Sequence, residues 1–388
     1  MIHSSVLRSI FSFVILSSLV FGVTTASPAQ EKKKAEPKES SSPSSDGKAA
    51  ARYDAKLKEW KAVIRRLRDM VEEYRRADEE EAIKLQQEWD ETMVKGRKMI
   101  RELRDLGVKA YQESPNEDIS ITRFLIKILE DELNQDRYES SLELAQVLME
   151  NNSGFNKAYN VAGMAAFSMN DFDKAEEYLQ KAEEEEELAD IAKQFLSQIS
   201  DYKVWWKEEQ AIREKEAEAD DLPRVKLTTT KGEIVLELFE NEAPQTVANF
   251  ISLVDKKFYD GLTFHRVLPG FMAQGGDPTG TGGGGPGYNI YCECKKENFR
   301  RHFRGNISMA HAGLDTGGSQ FFLMFGPKSR LDGKHTVFGR IIEGMDVLEE
   351  IQRRDPDAEP PLPKPDSIIE AEVIRKRDHE YVPTKVED

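Results

Sequence analysis

The sequence is poor in cysteine, with only Cys292 and Cys294 among 388 residues. Two thiols cannot build a disulfide framework or a zinc site made of cysteines alone. One residue separates them in a strand-like segment, where a two-residue step spans ~6.6 Å, near the upper limit for a disulfide. We therefore expect no bridge between them. His302 and His311 do not complete a metal-ligand spacing with these cysteines, so we predict no metal and no other cofactor.

Positive charge is also scarce, because 55 Lys and Arg face 71 Asp and Glu, a net charge of −16. Binding to nucleic acid needs a basic face that displaces counterions, so we predict no nucleic-acid partner. Charged residues make up 32% of the chain, which excludes a protein with many membrane spans. At about 150 residues per domain, the length fits two or three domains. These features predict a soluble, acidic, multidomain protein.

The N-terminus has the pattern of a secretory signal peptide. Arg8 precedes an apolar stretch at 10–23, which is shorter than the ~20 residues that span a bilayer. Small residues follow, so cleavage is expected after Ala26 or Ala29. We predict that residues 1–26 are removed, that no stable membrane span remains, and that the protein is exported to the periplasm or cell envelope. Anchoring to the membrane through an uncleaved N-terminus and secretion are the alternatives.

A linker and a helical region follow the predicted signal peptide. Lys, Glu, Ser, Pro and Ala dominate residues 27–50, a composition that predicts a disordered linker. Residues 51–121 are predicted to be helical, and Asp78 and Glu81 interrupt their apolar seam. This seam packs either against the next helices of the chain or against a second chain in a coiled coil. Its apolar residues before the interruption are Leu57, Trp60, Ile64, Leu67, Val71 and Tyr74.

An internal period of 34 residues marks the segment 122–219, where residues 138–146 align with residues 172–180. Small and apolar residues of the second copy let two antiparallel helices approach closely. They are Gly163, Ala166, Ala175, Leu179 and Ala182. Residues 156–189 thus resemble a tetratricopeptide (TPR) repeat, and residues 122–155 a weaker copy. The resemblance implies a helical domain that binds a client or a protein partner; a plain helical hairpin without a ligand is the alternative.

After residue 223 the apolar period changes from 3.6 to 2, which indicates strands. Residues 225–239 are predicted to form a β-hairpin that turns at residues 231–232. Several short strand-like runs alternate with Gly-rich turns, and two short helices are expected near residues 244–254 and 345–351. This pattern predicts a closed antiparallel β-barrel with two capping helices, so the whole chain is a multidomain protein with helical domains followed by a barrel.

The segment 264–277, Phe-His-Arg-Val-Leu-Pro-Gly-Phe-Met-Ala-Gln-Gly-Gly-Asp, resembles the central signature of cyclophilin-type peptidyl-prolyl cis-trans isomerases. The resemblance covers residues 224–377 and implies a cyclophilin-like fold, isomerase activity, no cofactor and proline-containing polypeptides as clients. Five further blocks follow the order of the family: residues 243–250, 259–261, 309–313, 318–322 and 331–339.

The resemblance also implies roles for individual residues. Arg266 would donate a hydrogen bond to the prolyl nitrogen, Gln274 would orient the substrate backbone and Arg266, and His335 would lie at the rim of the site. These three are the predicted catalytic residues. The predicted proline pocket consists of Phe271, Met272, Phe322 and Leu331. The remaining predicted contacts with substrate are Ala310, His311, Ala312 and Gln320.

Two residues depart from the family pattern. Arg330 stands where the family often has Trp, which leaves sensitivity to cyclosporin open, and His311 stands where Asn is usual. The Gly-rich segment 280–287 lacks the Lys-Ser/Thr of a phosphate-binding loop, so we interpret it as a surface loop beside the groove. The sequence therefore predicts an exported isomerase that assists protein folding. A binding scaffold with weak or no isomerase activity is the alternative.

Overall fold

A computed structural model describes residues 47–359 and 362–387 of the chain. The predicted signal peptide and most of the predicted linker lie outside the described residues. Helix α1 begins at Gly47 and so includes the last four residues of the predicted linker, since the alanines at 49–51 are strong helix formers. Within the described ranges, no helix is both long and apolar enough to cross a membrane.

Seven α-helices cover the chain between residues 47 and 219, as the helical periodicity predicted. The predicted interruption of the first seam is confirmed, because Asp78 caps α2 and forms a reciprocal capping box with Glu81. The helices are α1 (Gly47–Tyr74), α2 (Glu79–Glu113), α3 (Ile119–Asn134), α4 (Tyr138–Glu150), α5 (Lys157–Ser168), α6 (Phe172–Glu184) and α7 (Asp190–Ala219).

The chain divides into two compact units, and the first holds residues 47–130 and 144–155. Within it α1 and α2 pack against each other. Trp60 and Leu67 of α1 and Trp89 of α2 are buried in this unit. The apolar seam of α1 is therefore used for packing within the chain, in agreement with the first of the two alternatives.

The second unit holds residues 131–143 and 156–387, and includes the helical pair α5 and α6. A Cβ atom added to Gly163 of α5 would lie 2.5 Å from Leu179 Cδ2 of α6, so a larger residue would force Leu179 to shift. The 34-residue period also recurs in the backbone, because Asp136 and Asn170 both have a positive φ, 62° and 66°. A repeated helical pair is present; its likeness to a TPR unit stays a prediction.

An eight-stranded antiparallel sheet follows α7, with strand order β3-β4-β6-β5-β7-β2-β1-β8. Only the coarser part of the barrel prediction, a curled antiparallel sheet, is confirmed. The strands are β1 (Arg224–Thr229), β2 (Gly232–Leu238), β3 (Arg266–Leu268), β4 (Met272–Gly275), β5 (Asn306–Met309), β6 (Phe321–Met324), β7 (Val337–Glu343) and β8 (Ile368–Arg375).

Two helices cover the core of the sheet, as predicted: α8 (Pro244–Asp255) and α9 (Met345–Glu350). Pro244 starts α8 at a position where its missing N–H costs nothing. The helix is buried on almost every side, including the six consecutive residues 246–251, while Leu348 is the buried residue of α9. Both join the main core, which is continuous with the inward side chains of β1 and β2.

Helix α7 belongs to the same compact unit as the sheet, and ion pairs connect them. The side chain of Arg300 is 2% exposed and bonds Glu209 at 2.7 Å and Glu216 at 2.5 Å, both from α7. Beside these ion pairs the Trp206 ring meets the Phe303 ring edge-on at 4.8 Å. The predicted boundary at residues 219–224 coincides with the end of α7 and the start of β1. Even so, α7 and the sheet belong to one compact unit.

Candidate active site

A groove of about 990 Å³ lies along strands β3, β4 and β6. The fold brings every residue of the predicted site to its wall. They are Arg266, Phe271, Met272, Gln274, Ala310, His311, Ala312, Gln320, Phe322, Leu331 and His335.

The polar side of the groove is built on neighbouring strands. Arg266 of β3 lies directly opposite Gln274 of β4, so the antiparallel register places both side chains together. Gln274 Nε2 donates to Gln320 Oε1 at 2.9 Å, and Gln320 Nε2 donates to the carbonyls of Gly282 and Gly284 at 2.9 Å. These bonds orient the Gln274 amide and fasten the Gly-rich loop beside the groove. In the described part of the chain, no carboxylate pairs with Arg266.

The apolar side of the groove forms one cluster. Met272 and Phe322 are buried at its base, since β4 and β6 are adjacent strands and both side chains point to this face. Phe271, Ala310 and Leu331 are partly exposed and form its walls. A concave apolar cluster of this kind can take the ring of a proline, whose burial is favoured by the area removed from water.

His335 stands at the rim between the two sides. Its Nδ1 lies 3.0 Å from the carbonyl oxygen of Met309. Since a carbonyl only accepts, Nδ1 carries the proton and Nε2 is left as an acceptor. Burial lowers the pKa of His335 to about 4, so the ring is neutral at pH 7. His311 stacks on this ring at 4.2 Å and donates from Nε2 to the Lys334 carbonyl at 2.7 Å.

His302 supports the pocket from behind, a role that the sequence did not reveal. The ring is fully buried, with Nδ1 2.9 Å from Asp332 Oδ1 and Nε2 3.0 Å from Ser308 Oγ. It lies nearly parallel to the Phe322 ring at 6.0 Å and so restricts that ring. Because Asp332 is 30 residues away in sequence, no local pattern reports this contact.

The end of the chain also lines the groove, which the sequence did not predict. Lys385, Val386 and Glu387 lie beside the Gly-rich loop. Val386 N donates to the Asn289 carbonyl at 2.9 Å, and Lys385 Nζ lies 4.1 Å from the centre of the Tyr288 ring. This short strand-like pairing adds a wall to one end of the groove.

The Gly-rich loop is anchored by a carboxylate and not shaped for a phosphate. Asp277 accepts backbone N–H groups from Thr279 at 2.7 Å, Thr281 at 3.0 Å and Gly282 at 2.5 Å. Burial alone would raise the pKa of Asp277, but these donors outweigh it and lower the pKa to about 2. An anion at this position would meet a carboxylate, so the interpretation as a surface loop fits the contacts.

Within residues 47–359 and 362–387, no three His, Cys, Asp or Glu side chains are arranged to hold a metal ion. Cys292 and Cys294 are free thiols. Burial raises the pKa of both thiols. The groove thus offers a guanidinium, two amides, a neutral imidazole and an apolar pocket.

Comparisons with known proteins agree on this part of the chain. The family model "Cyclophilin type peptidyl-prolyl cis-trans isomerase/CLD" matches residues 224–373. A peptidyl-prolyl cis-trans isomerase of Helicobacter pylori is 55% identical over 143 residues, which cover 36% of this chain and 87% of that protein. The chain belongs to the cyclophilin-type peptidyl-prolyl cis-trans isomerase family.

Two further relatives are similar over the same domain. Peptidyl-prolyl cis-trans isomerase B of Bacillus subtilis is 54% identical over 124 residues, covering 32% of this chain and 86% of that protein. A crystal structure of a cyclophilin type isomerase from Cryptosporidium parvum aligns with 31% identity over 40% of this chain and 99% of that chain, with a TM-score of 0.37. The predicted family membership is confirmed by the family model and the curated relatives.

The two departures from the family pattern each contact a residue of the isomerase pocket. The Arg330 guanidinium lies 4.9 Å from the centre of the Phe271 ring, and the Arg266 guanidinium lies 6.0 Å from the same ring. Cations over an aromatic face are attracted by its quadrupole. His311 stacks on the His335 ring at 4.2 Å, so the two departing residues contact two different members of the predicted site.

Proposed function

We propose that this protein is an exported peptidyl-prolyl cis-trans isomerase that assists the folding of proline-containing polypeptides. The observation that carries the proposal is that Arg266 and an apolar pocket line the same groove. Arg266 has no carboxylate partner in the described chain. An uncompensated guanidinium beside a pocket for a proline ring is suited to act on the prolyl nitrogen.

The mechanism follows from the chemistry of the peptide bond. Rotation faces a barrier of ~18–20 kcal/mol because the nitrogen lone pair is delocalised into the carbonyl. At X–Pro bonds both isomers are populated, and they interconvert over tens of seconds or longer. Phe271 and Phe322 would hold the proline ring while the preceding carbonyl turns. Arg266 would then donate to the nitrogen as its lone pair localises, which stabilises the twisted state more than either planar isomer.

The other residues of the groove would orient the substrate. Gln274, itself held by Gln320, would contact the substrate backbone and direct Arg266. The neutral ring of His335 would present Nε2 as an acceptor at the rim. Ala310 and Ala312 would meet the chain of the substrate through their backbone groups, and His311 between them departs from the usual Asn without removing a backbone contact.

We also propose the finer features of the fold. Hydrogen bonds from Phe264 N to the Asp366 carbonyl at 2.9 Å and from Ile368 N to the Leu262 carbonyl at 2.8 Å support closure of the sheet into a barrel. These bonds link the segment just before the edge strand β3 to the first residue of the other edge strand, β8, and to the chain just before it. The 34-residue recurrence of a left-handed turn supports TPR-like repeats, whose surface would bind a client or a protein partner.

Export rests on the sequence of the first residues. The short apolar stretch followed by small residues supports a cleaved signal peptide and a place in the periplasm or cell envelope. N-terminal sequencing of the mature protein tests this part of the proposal. We expect a start at Ser27 or Gln30, and an intact Met1 in membrane fractions only would contradict it.

A prolyl isomerisation assay on a model peptide tests the enzymatic part. We expect the full chain without its signal peptide to catalyse cis-trans interconversion in proportion to its concentration. The same folded protein without measurable catalysis, but with measurable binding of the peptide, would favour the binding scaffold instead.

A further inference from the structure

One wall of the proline pocket is held by a residue that precedes the isomerase domain. Asp136 lies in the turn between α3 and α4, and it is 1% exposed. Its Oδ1 accepts the backbone N–H of Gly270 at 2.6 Å, and its Oδ2 accepts from Arg353 Nε at 3.0 Å. Gly270 is the residue directly before Phe271. The carboxylate therefore fixes the turn that presents this pocket side chain.

The same contacts continue to the other side of Phe271. Arg353, paired with Asp136, lies with its guanidinium carbon 4.2 Å from the centre of the Phe325 ring. Phe325 N in turn donates to the Phe271 carbonyl at 3.0 Å. Hydrogen bonds thus hold the N–H of Gly270, just before Phe271, and the carbonyl of Phe271 itself, and the first of these bonds is made by Asp136.

A second residue that precedes the isomerase domain holds another wall of the pocket. The hydroxyl of Tyr202 in α7 accepts the backbone N–H of Ser329 at 2.7 Å. Ser329 begins the 3₁₀ turn Ser329–Leu331, which carries the pocket residue Leu331. Tyr202 is itself 3% exposed, and its ring packs against Phe167 at 4.9 Å. A single 3₁₀ turn has few hydrogen bonds of its own, so an outside acceptor matters to its position.

We propose that Asp136 and Tyr202 are positioning residues of the isomerase: they set the separation of Phe271 and Leu331 and thereby the fit of the proline ring. Neither residue lines the groove, and both lie outside the segment 224–373 that the family model matches. The inference rests on the proposed role of Phe271 and Leu331 in binding proline.

The contact made by Asp136 has a counterpart in the next 34-residue copy, which argues that it is not accidental. Asp136 and Asn170 occupy the same place in successive 34-residue copies, and both have a left-handed backbone. Asn170 Oδ1 accepts the backbone N–H of Arg304 at 3.3 Å, as Asp136 accepts that of Gly270. Equivalent turns of two repeats therefore each bind one N–H group of the isomerase domain. Only the Asp136 turn reaches the pocket.

Tyr202→Phe is the sharpest test, because it removes one hydroxyl and keeps the buried ring. We expect KM for a proline peptide to rise about 3- to 10-fold while kcat stays within about twofold, since Arg266 is held separately in the ladder of β3 and β4. Amide hydrogen exchange at Ser329 should accelerate at the same time. The matched control is Tyr159→Phe in α5, whose hydroxyl, among the described residues, contacts neither wall; KM and kcat should stay at their original values.

Asp136→Asn tests the other wall, with Asp171→Asn at the start of α6 as the control of the same chemistry. We expect a similar rise in KM and faster exchange at Gly270 in the first variant only. If Asp136→Asn does not fold, because Arg353 loses its carboxylate partner, Tyr202→Phe decides alone.

A folded Tyr202→Phe protein with the original KM would overturn the proposal. A lower thermal midpoint with unchanged KM and kcat would also overturn it, since the contacts would then serve docking alone. Titration of the proline peptide by NMR separates this question from the enzymatic one. An inactive parent protein would refute the proposed function, while weaker peptide binding in Tyr202→Phe than in the parent would still support the positioning residues.

Discussion

At the scale of single residues, the groove separates the residue that we propose acts on the prolyl nitrogen from the residues that we propose hold the proline ring. Arg266 is placed by the register of β3 against β4 and is not neutralised by an acid in the described chain. The apolar residues beside it come from β4, β6 and the turn at Leu331. If these roles hold, catalysis and binding of the proline ring depend on different elements, and substitutions should separate them.

Arg266→Ala should lower kcat/KM much more than it lowers peptide affinity. A hydrogen bond from a charged donor is worth ~1.5–3 kcal/mol, and 1.36 kcal/mol corresponds to tenfold in rate, so we expect a loss of about 10- to 100-fold. Phe271 and Phe322 remain to hold the ring, and the guanidinium faces the groove, so the thermal midpoint should change little. The measurement is the isomerisation rate and the peptide affinity on the same folded variant.

Arg330→Ala is the matched control, since it removes a second guanidinium over the same Phe271 ring. We expect its kcat to stay within about threefold of the original value. An unchanged kcat/KM in Arg266→Ala would refute the mechanism, and equal losses of catalysis and affinity would make Arg266 a substrate anchor instead.

The site could be predicted from sequence as far as its residues lie in the family's motifs. Arg266, Phe271 and Gln274 fall in one segment, and the structure brings them to one groove together with the other predicted residues. His302 and Asp136 could not be predicted, because their partners are distant in sequence. Asp136 bonds Gly270, 134 residues later, and no local periodicity encodes such a contact.

At the scale of elements, close helix packing depends on glycine in α5. A methyl group at Gly163 would lie 2.5 Å from Leu179 Cδ2, and Leu179 is fully buried. Replacing glycine in a helix by alanine gains about 1 kcal/mol in propensity, but an extra methyl in a tight core costs ~1–3 kcal/mol. We expect Gly163→Ala to destabilise this helical pair by about 1 kcal/mol, measured by hydrogen exchange in α5 and α6.

Gly96→Ala in α2 provides the contrasting control. Its added methyl would lie 3.6 Å from Val63 Cγ1, an ordinary contact, so the propensity gain is not offset. Slower exchange in α1 and α2 is therefore expected. Stabilisation by both substitutions would contradict the tight packing between α5 and α6.

Element type was more predictable than element length. The helices and the β-hairpin follow from periods of 3.6 and 2, and Asp78 identifies the start of α2 by its capping chemistry. Strand β3 begins only at Arg266, because residues 263 and 264 bond the chain just before β8 instead of β4. Such pairing depends on tertiary contacts, which the local pattern does not contain.

At the scale of the whole molecule, the division into two compact units does not coincide with the change from helical to strand periodicity near residue 220. The sequence shows a boundary there, yet Arg300 of the isomerase domain bonds Glu209 and Glu216, which are 91 and 84 residues earlier in α7. Arg340 bonds the other oxygen of Glu216 at 2.7 Å. Sequence composition reports only that this helix is acidic. It cannot show that two of its carboxylates are buried against arginines.

These ion pairs and positioning contacts lead to a prediction for an isolated isomerase domain, residues 221–388. The fragment retains the main core of the sheet and α8, and its size is sufficient for an independent domain, so we expect it to fold. It loses the acceptors for Arg300 and for the two pocket walls. We therefore expect a lower thermal midpoint and a higher KM than in the full chain, with kcat within about twofold.

Glu209→Gln in the full-length protein separates the loss of thermal stability from the rise in KM. It leaves Arg300 buried without one of its charged partners, and breaking a buried ion pair in this way costs ~3–5 kcal/mol. In the fragment, by contrast, removal of α7 exposes Arg300 to water, which solvates the guanidinium. Glu209→Gln should thus lower the thermal midpoint yet leave KM near its original value, because Tyr202 and Asp136 still hold the pocket. A fragment with the KM of the full chain would show that the helices stabilise the domain without shaping its site.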